Sequence, residues 1–412
     1  MARDEALALH DTTARKNPQP PRLTPLRLPM LGILLTVAAP CVLLGAVLVR
    51  AFRKRSSFDI AAFLSVERSS DPGDPRPRRI AVIVNPVAGG QGKPLRIWSE
   101  VKAILDRFAG EIEVVCIRTE CAGHAMRWAK EELTPSFDTV VCIGGDGTMF
   151  EVVNGIFSRP DCQDIISQVA LAVVPAGSGN GLAKSIGIAP WEVDKAAALI
   201  IRRKCTALNV MKAVQGARVW YCFAMMAYGF IADVDFESEA YRCLGSFRFY
   251  IAVVIRILFK RRYPVKLRFT AVREFESCTD AGRACDGPCE LVMDITGILA
   301  CNCPHVTHDF LAAPRASVDD GLLDLILAPA HMTRRDLLMM LINSETGEYV
   351  NVPCLRYFQV SQLHIEAMGA GCPSMLLDDS KRKGYFDLDG EQVRASEPLE
   401  LSVHSVSLQL CS

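Results

Sequence analysis

Three units of strand, glycine-rich loop and helix follow one another between residues 79 and 202. The apolar runs 79–84, 139–143 and 169–174 are typical of buried parallel strands. Each run leads into a glycine-rich loop and then into a helical pattern. The carboxyl ends of parallel strands meet at one edge of an open α/β sheet, where such sheets bind ligands. We therefore expect the three loops to form one site.

The chemistry of these loops is set by glycine and by one carboxylate, Asp146. Glycine lets the backbone approach phosphate oxygens, and a helix start offers free N–H groups. Asp146 can take a proton from an attacking hydroxyl or, as the alternative, cap the helix that follows it. The pattern indicates phosphate chemistry, although the loops contain neither GxxxxGK[ST] nor GxGxxG. The loops read Asn85-Pro86-Val87-Ala88-Gly89-Gly90-Gln91-Gly92-Lys93, Gly144-Gly145-Asp146-Gly147-Thr148 and Pro175-Ala176-Gly177-Ser178-Gly179-Asn180-Gly181.

The pattern of strands and helices changes near residue 205. Before it, strands alternate with helices, which predicts an α/β domain with a parallel sheet over 78–204. After it, apolar runs separated by turns predict a mostly antiparallel β domain over 205–412, with one long helix over 238–261. The first domain is expected to have strands near 80–85, 112–117, 138–143 and 169–174, and helices near 94–108, 122–133, 148–157 and 190–202.

An uncharged apolar stretch over residues 28–49 is long enough to span a bilayer as a helix. The basic cluster that follows it favours a cytosolic location for the rest of the chain. We therefore predict a tail over 1–27, a transmembrane helix over 28–49 and a basic, proline-rich linker over 50–77. A buried helix of a soluble protein is the alternative interpretation.

Charge and cysteine content exclude some classes of partner. The 412-residue chain has a formal net charge of +0, so no overall basic field favours nucleic acid as a partner. Its 16 cysteines are scattered, which is typical of a reduced interior and not of a disulfide scaffold. Cys285, Cys289, Cys301 and Cys303 lack the spacing and the histidine partner of a zinc site. The sequence therefore identifies no metal ligands.

In this order, the three loops resemble the catalytic domain shared by diacylglycerol kinases, ceramide kinases, sphingosine kinases and bacterial lipid kinases. The segment 227–249 resembles the one that distinguishes sphingosine kinases, and 387–391 (Asp-Leu-Asp-Gly-Glu) is a further hallmark. The resemblance runs from about residue 80 to residue 403. Two positions depart from animal sphingosine kinases, which usually have Ser at Gly144 and Trp at Tyr228.

The resemblance implies a kinase that uses ATP and Mg²⁺ to phosphorylate a sphingoid base, alone or as a homodimer. The membrane location is expected from the apolar stretch over 28–49 alone. It makes Asp146 the general base and places the lipid against Gly144, Gly145, Asp146, Gly147 and Asp235. Its nucleotide-binding positions are Asn85, Pro86, Val87, Gly89, Gly90, Gly92, Thr119, Gly123, Gly145, Gly147, Thr148, Glu151, Gly177, Ser178, Gly179, Arg242, Arg248, Asp389, Gly390 and Glu391.

The choice of lipid depends on Asp235. Sphingosine carries a cationic amine that diacylglycerol and ceramide lack, and a carboxylate would bind it through a charge-assisted hydrogen bond. Asp233 lies two residues earlier, on what reads as a strand end, and the resemblance selects Asp235. An acyl-chain pocket or plain core is expected from a group of apolar residues, namely Phe230, Ile231, Phe247, Phe249, Ile251, Val254, Leu258, Phe310, Leu311 and Met340.

Three alternatives stay open at this point. A diacylglycerol or ceramide kinase would share the three loops. NAD kinases also use a Gly-Gly-Asp-Gly motif, although the segment 232–248 and the apolar stretch have no place there. A membrane-tethered lipid-binding protein without turnover would keep the fold, and the intact Asp146, glycine loops and Asp389 argue against it.

Overall fold

The computed structural model describes residues 77–412, except 91, 245–246, 276–281 and 369–383. The tail, the apolar stretch at 28–49 and the linker up to residue 76 lie outside the described residues and stay predictions. Among the residues that are described, no helix is long and apolar enough to cross a bilayer.

The first sheet has the strand order β2-β1-β3-β4-β18-β5 and is parallel except for its last pair. Strands β3 and β4 are buried throughout, as continuous apolar runs in a helix-covered parallel sheet should be. This sheet confirms the predicted α/β architecture. Its strands are β1 (Arg78–Val84), β2 (Ile112–Arg118), β3 (Thr139–Gly144), β4 (Ala170–Pro175), β5 (Cys205–Leu208) and β18 (Leu408–Cys411).

Four helices that accompany this sheet lie close to the predicted positions, namely α1 (Lys93–Leu105), α2 (His124–Glu131), α3 (Asp146–Phe157) and α6 (Val193–Arg202). A short helix, α5 (Gly181–Ser185), follows the third glycine-rich loop, and α4 (Cys162–Gln168) was not predicted.

The second sheet is antiparallel, as predicted, with the order β16-β15-β8-β10-β13-β14-β17-β6-β7, and β9 pairs with β10 and β14. A separate pair is formed by β11 and β12. The strands are β6 (Met211–Gln215), β7 (Arg218–Cys222), β8 (Met225–Gly229), β9 (Tyr263–Phe275), β10 (Arg283–Cys301), β11 (His305–Thr307), β12 (Phe310–Leu311), β13 (Leu323–Pro329), β14 (Arg356–Ala367), β15 (Tyr385–Leu388), β16 (Glu391–Arg394) and β17 (Leu399–Val403).

The single helix predicted over 238–261 was wrong in its start and its continuity. Helix α7 (Phe230–Ser238) begins earlier, directly after β8, and a 3₁₀ turn separates it from α8 (Phe247–Leu258). Tyr241 has non-helical dihedral angles, which breaks the run. Asp233 and Asp235 consequently lie on a helix and not at a strand end.

One further helix, α9 (Arg334–Ile342), was not predicted. Its start carries a capping box, in which the Thr333 side chain accepts from the Asp336 N–H and the Asp336 carboxylate accepts from the Thr333 N–H.

The first sheet contains two strands from beyond the predicted boundary at residue 204. Strands β5 and β18 follow that boundary in the sequence, yet both complete the first sheet. The domain limits stay a prediction, and the two sheets are joined by the connections β5 to β6 and β17 to β18.

Candidate active site

The three glycine-rich loops pack backbone against backbone at the carboxyl edge of the first sheet. The Gly144 carbonyl accepts from the N–H groups of both Ala176 and Gly177 at 2.8 Å. A Cβ on Gly177 would lie 2.4 Å from Gly145 Cα, and one on Gly89 would lie 2.1 Å from the Ala176 oxygen. Glycine is therefore required here by close approach, and the loops form one continuous surface as expected.

Asp146 is the first residue of α3 and points at the start of α5. One carboxylate oxygen, Oδ2, accepts from the Gly181 N–H at 2.7 Å, and Oδ1 accepts from the Leu182 N–H at 3.2 Å. Burial raises the pKa of Asp146, while these amide hydrogen bonds lower it. A raised pKa makes this half-buried carboxylate a stronger base than an ordinary aspartate, which suits it to accept a proton.

The first loop is organised by Asn85. Its Nδ2 donates to the Thr148 hydroxyl at 3.2 Å, and its Oδ1 accepts from the Val87 N–H at 3.2 Å. Gly90 and Gly92 have positive φ, and a Cβ on either would enter open space. At Gly90 and Gly92 the loop thus offers an uncrowded backbone, which fits the phosphate groups of a nucleotide.

Glu151 holds the loop before α2. Its two carboxylate oxygens accept from the N–H groups of Gly123 at 2.8 Å and Ala125 at 3.0 Å. The Thr119 N–H donates to the Val84 carbonyl at 3.0 Å, which places Thr119 beside the end of β1. The sequence interpretation did not anticipate this capping role of Glu151, and the nucleotide contacts of these residues stay predictions.

Asp389 lies in the tight turn between β15 and β16, with φ of 52°. Its Oδ2 accepts from the Phe223 N–H at 2.8 Å, while Oδ1 accepts from Ala224 at 3.1 Å and Met225 at 2.7 Å. Burial raises the pKa of Asp389 to about 7, although the hydrogen bonds from these three amides lower it. Asp389 therefore anchors the turn to the start of β8.

Asp387 was not assigned a role from the sequence, yet it is fully buried on β15. Its Oδ1 accepts from the Gly390 N–H at 2.7 Å, and its Oδ2 has no hydrogen-bond partner within the described part of the chain. Burial and the charge of Asp235 raise its pKa far above the ordinary value. The alternation Asp387-Leu388-Asp389 was the sequence signal that could have revealed it.

Carboxylates from both sheets come within electrostatic reach of one another, since Asp146 acts on Asp389 and Asp235 acts on Asp387. Carboxylate oxygens are the ligands that Mg²⁺ prefers, and the free Asp387 Oδ2 suits one. The described residues contain no ready-made group of three metal ligands. Phosphate oxygens of a nucleotide would have to complete such a site.

An apolar cavity of about 150 Å³ opens beside the third loop at Ser178. Asp235 lies in its wall. Five of the ten predicted apolar residues line this cavity. The five that do not line it are Phe247, Ile251, Val254, Leu258 and Leu311. The lining residues include Phe230, Ile231, Val234, Phe249, Val253, Phe310, Leu337, Met340, Leu341 and Tyr349.

Arg248 is buried and forms an ion pair with Glu239, and its guanidinium lies 4.5 Å from the centre of the Phe249 ring. Burial raises the pKa of Asp235 to about 6, while the Arg248 charge lowers it. Arg248 thus acts on the cavity carboxylate, and its contact with a triphosphate stays a prediction. The side chain of Arg242 lies outside what the structure describes.

Two parts of the chain match known domains. Residues 79–213 match the diacylglycerol kinase catalytic domain, and residues 251–411 match the YegS C-terminal NAD kinase beta sandwich-like domain. Sphingosine kinase 1 of Homo sapiens is 31% identical over 362 residues, which cover 80% of this chain and 90% of that protein. Sphingosine kinase 1 of Arabidopsis thaliana is 30% identical over 343 residues, covering 77% of this chain and 68% of that protein.

Solved structures share the two-sheet fold. A crystal structure described as a diacylglycerol kinase from Bacillus anthracis covers 81% of this chain and 96% of its own, with a TM-score of 0.54. Its sequence is 16% identical, so this likeness concerns the fold alone.

Proposed function

The chain belongs to the sphingosine kinase family of lipid kinases, and we propose that it transfers the γ-phosphate of ATP to the primary hydroxyl of a sphingoid base. The resemblance found in the three loops is confirmed by the relatives of this family. Kinases of this family use ATP. One observation supports a sphingoid base as the lipid: the carboxylate of Asp235 lies in the wall of an apolar cavity that opens at the Ser178 loop.

Asp146 supplies the base. The lipid hydroxyl would lie against Gly144 to Gly147, where the Asp146 carboxylate removes its proton as the oxygen attacks the γ-phosphorus and the bond to ADP breaks. Gly181 and Leu182 hold the carboxylate by their amides, so it is aimed before the substrate arrives. Magnesium, bound with ATP, would neutralise phosphate charge, and Asp387 with Asp389 would hold it.

Asp235 selects the lipid. The cationic amine of a sphingoid base pairs with a carboxylate inside an apolar wall, where a charge-assisted hydrogen bond is strong. Diacylglycerol and ceramide bring no cation, so they would lack this ionic contact with Asp235. The loss of that contact disfavours both lipids.

Replacement of Asp235 by Asn should therefore lower kcat/KM for sphingosine by about tenfold to a hundredfold, the value of one charge-assisted bond. The measurement is initial velocity against sphingosine concentration at saturating ATP. Asp233→Asn is the matched control on the same helix, because Asp233 pairs with Arg261 at 2.9 Å and does not line the cavity. Equal losses in both variants, or none in Asp235→Asn, would contradict the assignment.

The pH dependence of lipid binding should follow the Asp235 carboxylate, whose pKa burial raises to about 6. The carboxylate is ionised above that pH, so amine binding is present there and is lost as the pH falls through 6. The KM for sphingosine should be about tenfold higher at pH 5 than at pH 7, in proportion to the ionised fraction. A KM that stays constant over this range at saturating ATP would argue against an ionic contact.

A further inference from the structure

Two cysteines face each other where β5 meets β18. Cys205 is the direct antiparallel partner of Cys411, and their Sγ atoms lie 3.7 Å apart. Opposed residues on antiparallel strands have Cα separations of about 4.5–5.5 Å, inside the range that disulfides span. Side-chain rotation alone can bring the sulfurs to bonding distance. We propose that Cys205 and Cys411 form a redox site that peroxide oxidises reversibly to a disulfide.

Two arginines, Arg78 and Arg203, act on this thiol pair through their charges. An Nη atom of Arg78 donates to the Ile201 carbonyl at 2.7 Å, and one of Arg203 donates to the Gln168 carbonyl at 3.1 Å. The Nε atom of each arginine is buried and has no hydrogen-bond partner in the part of the chain that the structure describes. Backbone acceptors therefore hold two positive charges near the sulfurs, which favours a thiolate.

Cys205 is the sulfur that meets the oxidant first, because it is half-buried whereas Cys411 is buried. The hydrogen bond with Cys411, together with the charges of Arg203 and Arg78, lowers the pKa of Cys205 to about 7, although burial raises it. A large fraction of Cys205 is therefore thiolate at neutral pH, and the thiolate is the reactive form.

The oxidation balances in two steps. The Cys205 thiolate attacks one oxygen of hydrogen peroxide, the O–O bond breaks, and the leaving hydroxide takes up a proton as water, which leaves a sulfenic acid. The Cys411 sulfur then attacks the Cys205 sulfur, so that the S–O bond breaks, the S–S bond forms and a second water leaves. Two thiols are oxidised by two electrons, and one peroxide is reduced to two waters.

The disulfide would join β5 and β18, the two strands of the first sheet that lead to and from the second sheet. Cys205 begins β5 and Cys411 ends β18, so the pair lies at the end of these strands that is away from the connections β5 to β6 and β17 to β18. The two cysteines are 206 positions apart, so the bond would close a long loop and restrict the unfolded chain. We expect the melting temperature of the oxidised protein to rise by about 5 °C.

The test treats the full chain with equimolar hydrogen peroxide, alkylates free thiols without reduction, and analyses tryptic peptides by mass spectrometry. The expected product is the peptide 205–212 joined to the peptide 395–412, absent after reduction with dithiothreitol. The rise in melting temperature should disappear with the same reduction.

Three variants complete the design. Cys205→Ser and Cys411→Ser should each lose both the joined peptide and the temperature shift, whereas Cys121→Ser, which removes an exposed thiol elsewhere, should keep both. The proposal is overturned if Cys205 goes on to sulfinic acid while Cys411 stays a thiol. It is equally overturned if both stay reduced under conditions that oxidise Cys121.

Discussion

Replacement of Asp146 by Asn is expected to lower kcat by about 10²- to 10⁴-fold, the range that a positioned general base contributes. The amide cannot take the proton of the lipid hydroxyl, yet it keeps the size of the side chain and can still accept from Gly181 or Leu182. The nucleotide affinity should therefore stay within a few fold. Single-turnover transfer from ATP to sphingosine measures the chemical step, and calorimetric titration measures nucleotide binding.

Glu151→Gln provides the matched comparison. Glu151 lies on the same helix and its carboxylate also accepts from two backbone N–H groups. The Glu151→Gln substitution should shift the Gly123 loop and so change the KM for ATP. It should leave kcat within about tenfold of the wild-type value, because Glu151 contacts no reacting atom. Asp146 would not be the base if the Asp146→Asn variant retained the wild-type kcat. The same conclusion would follow if Glu151→Gln lowered kcat as much as Asp146→Asn does.

Replacement of Asp389 by Ala should produce the largest loss of stability among the site variants. Three buried N–H groups, of Phe223, Ala224 and Met225, would lose their acceptor. An unsatisfied buried group costs about 1–3 kcal/mol, so we expect the free energy of unfolding to fall by about 3–6 kcal/mol. Urea unfolding followed by circular dichroism measures it.

The matched variant for this prediction is Asp320→Ala. Asp320 is exposed and accepts one backbone N–H, from Leu322 at 3.0 Å. Its loss should cost less than about 1 kcal/mol. A similar loss in the free energy of unfolding in both variants would mean that Asp389 does not anchor the turn before β16.

Local patterns were sufficient for strands β1 to β4 of the first sheet and for the glycine loops. The runs that became β3 and β4 are buried on both faces, so their composition alone marks them as strands. The close contacts of Gly89, Gly145 and Gly177 agree with the meeting of loops at one sheet edge. Asp146 could be placed at a helix start because a strand and glycines precede it.

Long-range pairing could not be derived in the same way. Nothing in the local pattern of β18 indicates that it pairs with β4 of the first sheet. Helix α9 was missed because Leu338, Met339 and Ile342 are exposed, which obscures the apolar period, although Thr333 and Asp336 carry a capping signal. The capping contacts of Glu151 likewise join residues far apart in sequence, which no motif records.

The most direct test of the central claim is transfer of labelled γ-phosphate from ATP by the purified full chain to a panel of sphingosine, dihydrosphingosine, diacylglycerol and ceramide. The predicted result is label in the sphingoid base 1-phosphates, with little in the two lipids that lack an amine. Label confined to diacylglycerol or ceramide, or no label in any lipid, would contradict it.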